Sequence, residues 1–286
     1  MAETTEIAWT DSTFNPWVGC TNVSAGCDHC YAEAMNNRRG WTEWGSHGAR
    51  RRTATWHNPI KWQRDAARFQ REHGRRQRVF CASLADVFDN QAPADWRAEL
   101  WALIYGTPDL DWQLLTKRPQ NIGKMLPPDW GAGWPNVWLG TTTENQEEYR
   151  RRWSILREVP AAIRFISYEP AIGPLRLRDV DYGLLPDWVI YGGESGPGAR
   201  VADPEWIREI MSDCVVADIP FFLKQHGAYP SNPLVHDLGF SIKHAMARDP
   251  PTNGKGGALF LGVLWRAFPK SATPARFVEP QQEAML

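Results

Sequence analysis

The sequence predicts an α/β protein built as a complete or partial parallel (β/α) barrel of about six to seven strands. Six short β-rich runs begin at Arg78, Trp112, Asn136, Ile163, Trp188 and Pro220, separated by 34, 24, 27, 25 and 32 residues. Such spacings are the length of a strand–helix–strand unit. Helical periodicity fills three of the gaps, at Ala94 to Tyr105, Gln146 to Glu158 and Pro204 to Val216. The chain of 286 residues is 43% hydrophobic with no long polar tract, enough to bury one large core. A doubly wound open sheet fits the same rhythm and is the alternative architecture.

Taken in order, Glu6 to Trp9 reads as a short first strand, and Asp11 to Pro16 as turns. Asp28 to Asn37 reads as a helix, with Tyr31, Ala34 and Met35 at helical spacing and Gly40 beyond its end. An Arg-rich excursion, Arg38 to Pro59, holds too much Gly, Arg and Trp for a regular element, and a basic helix from about Ile60 to His73 closes it. After His226 the rhythm fades. Gly227 to Pro251 is punctuated by Pro and Gly, Gly254 to Gly257 is a turn, Ala258 to Phe268 fits a strand or a short helix, and Pro269 to Leu286 reads as a loose tail. The expected organisation is a barrel over residues 1–227 with an Arg/Trp-rich insertion at about 38–78, then a C-terminal extension, 228–286, packed on the barrel.

The working face of a parallel barrel lies where strands end and βα loops begin, so polar residues just after apolar runs mark a candidate site. The runs end in Ser83 with Asp86 behind it, in Thr116-Lys117-Arg118, in Thr141-Thr142-Thr143-Glu144, in Ser167-Tyr168-Glu169-Pro170, in Gly192-Gly193-Glu194-Ser195-Gly196 and in Lys224-Gln225-His226. Both signs of charge meet on one rim, which suits a zwitterionic or phosphorylated ligand. The Gly192 to Gly198 run permits close backbone approach, although it lacks the spacings of nucleotide loops.

Three of the five cysteines, Cys20, Cys27 and Cys30, fall within eleven residues, in a loop running into a helix. No apolar run reaches the ~20 residues of a membrane helix, and Met1 to Thr13 lacks the features of a signal peptide. A cytoplasmic location without membrane contact is the expectation. In that compartment clustered thiols point to metal or redox chemistry. Spacing alone leaves three options: zinc completed by His29 or His47, a redox pair at Cys27 and Cys30 with Cys20 resolving, or an iron–sulfur cluster with one open iron. Cys81 and Cys214 stand alone in apolar patterns and read as buried, inert thiols.

Closely spaced cysteines ending in C-x-x-C, followed by repeated βα units, resemble the radical S-adenosylmethionine (radical SAM) superfamily. Phe14-Asn15-Pro16-Trp17-Val18-Gly19-Cys20, Cys27-Asp28-His29-Cys30-Tyr31-Ala32-Glu33, Leu114-Leu115-Thr116-Lys117-Arg118-Pro119, Ser167-Tyr168-Glu169-Pro170 and Gly192-Gly193-Glu194-Ser195 more narrowly resemble a phage and prophage family of three-cysteine proteins. The usual superfamily spacing is C-x3-C-x2-C, and here it is C-x6-C-x2-C. The resemblance implies a radical SAM-like barrel acting in a bacterial host cytoplasm. It implies a [4Fe-4S] cluster on Cys20, Cys27 and Cys30, S-adenosylmethionine on the open iron, and an electron-donor protein as partner. Its Gly-Gly-Glu stretch is replaced by Ser83-Leu84-Ala85-Asp86, so Ser83 and Asp86 become candidate cofactor contacts together with Lys117, Thr142, Glu169 and Glu194. Glu169, Glu194 and Lys224 are the candidate catalytic residues.

Net charge is only −1, yet Arg38 to Arg78 holds twelve Lys and Arg against three acids, leaving −10 for the remainder. Arg38, Arg39, Arg50, Arg51 and Arg52 alternate with Trp41, Trp44 and Trp56, and Lys61, Arg64, Arg68, Arg71, Arg75, Arg76 and Arg78 follow. Basic groups neutralise phosphates while rings stack bases, so Arg38, Arg39, Arg50, Arg51, Arg52 and Trp44 are candidate contacts to DNA, RNA or a nucleotide. The plainer reading is a solvated basic helix with tryptophans folded into the barrel wall. Two functions follow: an enzyme that cleaves S-adenosylmethionine to modify such a substrate, or a non-catalytic, zinc- or cluster-stabilised nucleic-acid-binding protein.

Overall fold

The computed structural model describes residues 5–179, 184–236, 239, 241 and 256–270. Seven strands form one all-parallel sheet: β1 (Ser12–Phe14), β2 (Gln77–Cys81), β3 (Leu110–Thr116), β4 (Val137–Thr142), β5 (Ile163–Ala171), β6 (Trp188–Gly193) and β7 (Phe221–Gln225). They lie side by side in sequence order and the sheet curls into a half-barrel. A doubly wound sheet would reverse its strand order at a switch point, so that alternative is excluded. The longer helices are α1 (Tyr31–Arg39), α2 (Asn58–His73), α3 (Ala94–Tyr105), α4 (Gln146–Leu156) and α5 (Pro204–Val216). The register aligns Phe14, Cys81, Leu114 and Leu139 across four strands, so the carboxyl ends finish at a common rim.

Side chains alternate faces along a strand, and the two faces here have different partners. Val79 of β2, Trp112 and Leu114 of β3 and Val189 of β6 join the helix residues Leu100, Ile104, Trp153 and Ile210 in the larger core. Their neighbours Phe80, Trp138, Phe165, Trp188, Ile190 and Phe222 point the other way and pack with Trp9 inside the curl. Aromatic side chains thus floor the half-barrel beneath its polar rim.

Several expected boundaries move. Glu6 to Trp9 is not a strand: the first strand is Ser12–Phe14, and Trp9 instead inserts its ring among Phe80, Phe165 and Trp188. Asp11 holds this arrangement by accepting from the Arg78 amide at 2.8 Å and pairing with Arg75 at 2.6 Å. The first helix starts at Tyr31 and not Asp28, because Ala25–Cys27 closes a separate 3-10 turn and Cys30 is extended before the helix. Within the excursion, Arg51–Arg52 pairs antiparallel with Trp17–Val18, and α2 opens earlier than expected, at Asn58 with Pro59 in its first turn.

Ala258 to Phe268 resolves into a hairpin, Leu259–Phe260 with Val263–Leu264, followed by a strap. The Leu223 amide donates to the Trp265 carbonyl at 2.8 Å, and the Ala267 amide donates to Phe221 at 3.0 Å, so the strap covers the free edge of β7. The Phe268 ring reaches the aromatic floor, 5.3 Å from that of Trp188. Residues 254–255 of the expected turn and 271–286 of the expected tail lie outside the described residues, as does most of 237–251. Among the described residues no helix is long and apolar enough to cross a membrane.

Candidate functional site

The cysteine loop is held by residues arriving from several strand ends. Gly19 donates its amide to the Leu84 carbonyl beyond β2, at 3.2 Å. Arg118, just past β3, donates to the Thr21 carbonyl at 2.7 Å, and its Nη1 lies 3.5 Å from the Cys20 sulfur. Beyond β4, Glu144 accepts from Ser24 Oγ at 2.7 Å while its other oxygen pairs with buried Arg152 at 2.8 Å. Gly26 has to be glycine here, because a Cβ would stand 2.4 Å from the Glu144 side chain. Beyond β6, Glu194 lies 2.9 Å from His29 Nδ1.

All five thiols are free. Burial pushes the Cys20 thiol up to about 11, while the Arg118 guanidinium pulls in the opposite direction. Burial also raises Cys30, opposed by the amides of Glu33 and Ala32 at the start of α1 and by the nearby Lys117 ammonium. Cys81 and Cys214 are fully buried and raised by desolvation alone or nearly so, which matches their expected inert role.

Cys20, Cys27 and Cys30 open into one cavity of about 670 Å³, within the range of small-molecule pockets. The candidate strand-end residues Ser83, Asp86, Lys117, Thr142, Glu169, Glu194 and Lys224 line the same cavity, as does Trp44 of the insertion. Lys117 has no carboxylate partner among the described residues, so its ammonium is available to an anion. Glu169 pairs one oxygen with Lys224 and keeps the other, Oε1, buried and unpartnered among the described residues. Gly192 lies beneath this pair, and a Cβ there would stand 2.8 Å from the Glu169 carboxylate. The Trp44 indole nitrogen is likewise buried without a partner among the described residues.

Two expected contacts are committed elsewhere. Asp86 lines the cavity, but its Oδ1 accepts from Thr116 Oγ1 and the Phe88 amide at 2.8 and 2.9 Å. Its Oδ2 accepts from the Lys117 amide and Arg118 Nη1 at 3.2 and 2.9 Å. Its work is to hold Arg118 against the cysteine loop, leaving no free oxygen for a cofactor. Glu194 also lines the cavity but is engaged by Arg200 and His29, with three bonds on Oε2 and one on Oε1. Burial pushes its carboxyl up, yet the Arg200 guanidinium and amide and the His29 ring outweigh it and hold the group at about 2. Glu194 is therefore a fixed anion and not a proton carrier.

The chain matches, over residues 4–269, the family described as "Protein of unknown function (DUF5131)". It belongs to that family. No curated protein and no solved structure matches it.

In this DUF5131 chain three of the expected nucleic-acid contacts, Arg50, Arg52 and Trp44, are engaged within the protein. Arg50 is buried, paired with Asp89 at 2.6 Å, and bonded to the Gly48 carbonyl and Thr21 Oγ1 at 2.9 and 2.8 Å. It cannot meet a phosphate, and its role is to tie the insertion to the cysteine loop. Arg52 pairs with Glu99 at 2.6 Å and lies over the Trp56 ring at 4.0 Å. Arg75, Arg76 and Arg78 are also committed, to Asp11, to Asp111 and to the Phe268 ring. Arg38, Arg39 and Arg51 remain exposed, as do Lys61, Arg64, Arg68 and Arg71 along α2. Trp44 stands apart from these, at the cavity wall with Val18, Ala32 and Leu84.

Sequence reasoning passed over Arg200 and Arg152, and quoted Asn15, Arg118 and Glu144 without giving them a role. Asn15 accepts from the Leu84 amide at 2.7 Å and donates to Ser83 Oγ at 2.9 Å, which shapes the turn after β2. Arg118 carried a usable signal, since it immediately follows a strand that ends in Thr116-Lys117.

Proposed function

We propose that the chain is an iron–sulfur enzyme of the radical SAM type, in which Cys20, Cys27 and Cys30 hold a [4Fe-4S] cluster and the adjoining cavity takes S-adenosylmethionine and a nucleic-acid or nucleotide substrate. The observation that carries this reading is the opening of three free thiols from one loop into the cavity that also gathers Lys117, Glu169 and Lys224.

The donor set fits the cluster. Each thiolate of such a cluster binds a different iron, so the sulfurs stand further apart than the ligands of a single ion. Three thiols leave the fourth iron without a protein ligand. Arg118 at the Cys20 sulfur and the amides facing Cys30 add N–H···S contacts of the kind that stabilise bound thiolates. When bound, the cluster supplies the electron that cleaves S-adenosylmethionine.

The chain's own residues bind and orient. Lys117 offers its ammonium to a carboxylate or phosphate, and Glu169 offers Oε1 to a hydroxyl or ring N–H. Lys224 pairs with Glu169 and holds its carboxylate in place. Ser83 and Thr142 complete the wall, and the aromatic floor keeps water from the inner end of the cavity. The nucleic-acid part rests on Arg38, Arg39 and Arg51 with Lys61, Arg64, Arg68 and Arg71, the last four spaced to share one side of α2. An electron-donor protein is the partner that this chemistry requires.

Anaerobic reconstitution tests the reading: about four iron and four sulfide per chain are expected. Addition of S-adenosylmethionine and reductant should then yield 5′-deoxyadenosine. Stoichiometric zinc without sulfide would overturn it in favour of a zinc-stabilised binding protein.

A further inference from the structure

The Gly-rich run after β6 reads in sequence as a ligand loop, and its Glu194 is occupied from within the chain. Arg200 grips that carboxylate through Nε at 2.9 Å, Nη2 at 2.6 Å and its own amide at 2.9 Å. The remaining bonds of the guanidinium leave the loop: Nη2 donates to the Ala25 carbonyl at 2.9 Å, and Nη1 to Asp28 at 3.2 Å. His29 closes the set from the other side, 2.9 Å from Glu194 Oε2. Ala25 opens the 3-10 turn that ends at Cys27, Asp28 follows that turn, and His29 precedes Cys30. One ion pair therefore reaches residues on both sides of Cys27 and the residue before Cys30.

We infer that Glu194 and Arg200 are positioning residues that set the Cys27–Cys30 turn before any cluster binds, so that this half of the metal centre is assembled by the chain alone. The inference rests on the proposed cluster reading for its purpose, but its geometry is that of the protein without metal. The two ends of the loop are held separately: Arg118 at Cys20, and Glu194 with Arg200 at Cys27 and Cys30. Loss of the second hold should loosen one pair of thiols and leave the first in place.

The test is residue-resolved alkylation of the full metal-free chain with iodoacetamide, alongside iron loss to a chelator from the reconstituted protein. Arg200→Gln and Glu194→Gln should speed labelling of Cys27 and Cys30 about tenfold, with Cys20 changed less than about twofold, because a buried or partly buried thiol is reached faster once its own segment opens locally. Arg200→Lys, which keeps the charge, should restore part of the protection. Iron loss from both Gln variants should quicken in parallel. Labelling of Cys27 and Cys30 within about twofold of the native chain would overturn the inference. Acceleration shared equally by buried Cys81 and Cys214 in both variants would also overturn it, since the pair would then hold the whole fold. A native chain that takes up no iron and sulfide defeats the cluster reading alone, and the alkylation pattern still decides the positioning role.

Discussion

Glu169 and Lys224 stand 55 residues apart in sequence and touch, whereas Arg50, Arg51 and Arg52 are consecutive and go three ways. Arg50 is buried against Asp89, Arg51 is exposed with a bond to the Trp41 carbonyl, and Arg52 lies between Glu99 and Trp56. The strand ends and the basic insertion look equally functional as strings of polar residues. They differ because parallel strands in one register share a rim, so topology gathers whatever follows each strand. The three consecutive arginines of the insertion share no direction, and each settles by its own local partners. The polar residues spread over the strand ends are therefore better evidence of a site than the basic run of this insertion.

The largest expected effect lies at the gathered site. Cys20→Ser, Cys27→Ser or Cys30→Ser should each abolish retention of iron and sulfide, while Cys81→Ser should retain both; elemental analysis after reconstitution decides, and retention in all three would break the comparison. Next comes the insertion. Arg50→Ala should cost about 3–5 kcal/mol, because it strands the buried Asp89 charge, while Arg51→Ala should stay within about 0.5 kcal/mol. Urea melts of the two variants measure the gap, and equal costs would mean that the insertion behaves as one surface after all.

The pH dependence of stability sharpens the contrast further. His226, a strand-end residue turned away from ligand duty, donates its Nε2 proton to the Leu259 carbonyl at 2.7 Å, and burial depresses it to about 4. The unfolded chain binds that proton first, so this contribution is complete above about pH 6.5 and is lost as pH falls toward 4, up to about 3 kcal/mol. The Glu194 contribution is lost lower, between about 4.5 and 2. His226→Gln should flatten the upper window and leave the lower one. The smallest effect on stability belongs to Lys117: Lys117→Met should change it by less than about 0.5 kcal/mol while weakening S-adenosylmethionine binding to the reconstituted protein about tenfold.

Sequence periodicity located most of the scaffold. The runs beginning at Arg78, Trp112, Asn136, Ile163, Trp188 and Pro220 all became strands, and Ala94–Tyr105 and Pro204–Val216 are helices at those same residues. The first strand was misplaced because Ser12–Phe14 is only three residues long with one large apolar side chain, while the Ile7-Ala8-Trp9 run is apolar for a different reason. Trp9 fills the floor of the curl. The rim residues were legible because their chemistry is written at strand ends, and the cysteines because three fall within eleven residues. Their supports were not: Arg118 meets Thr21 across 97 positions, and Arg200 meets Ala25 across 175. No local pattern encodes such pairs, and the engagement of Asp86 by Arg118 and of Glu194 by Arg200 follows from them.

The strap that follows β7 fixes where the working unit can be cut. Trp265 and Ala267 satisfy the outer backbone groups of the last strand, and Phe268 seals the floor beside Trp188. A version shortened after Gln225 would keep every rim residue and every cysteine, yet present a bare sheet edge and an opened apolar base, the ingredients of self-association. The shortest form worth expressing runs through about residue 269, the position at which the family match also ends.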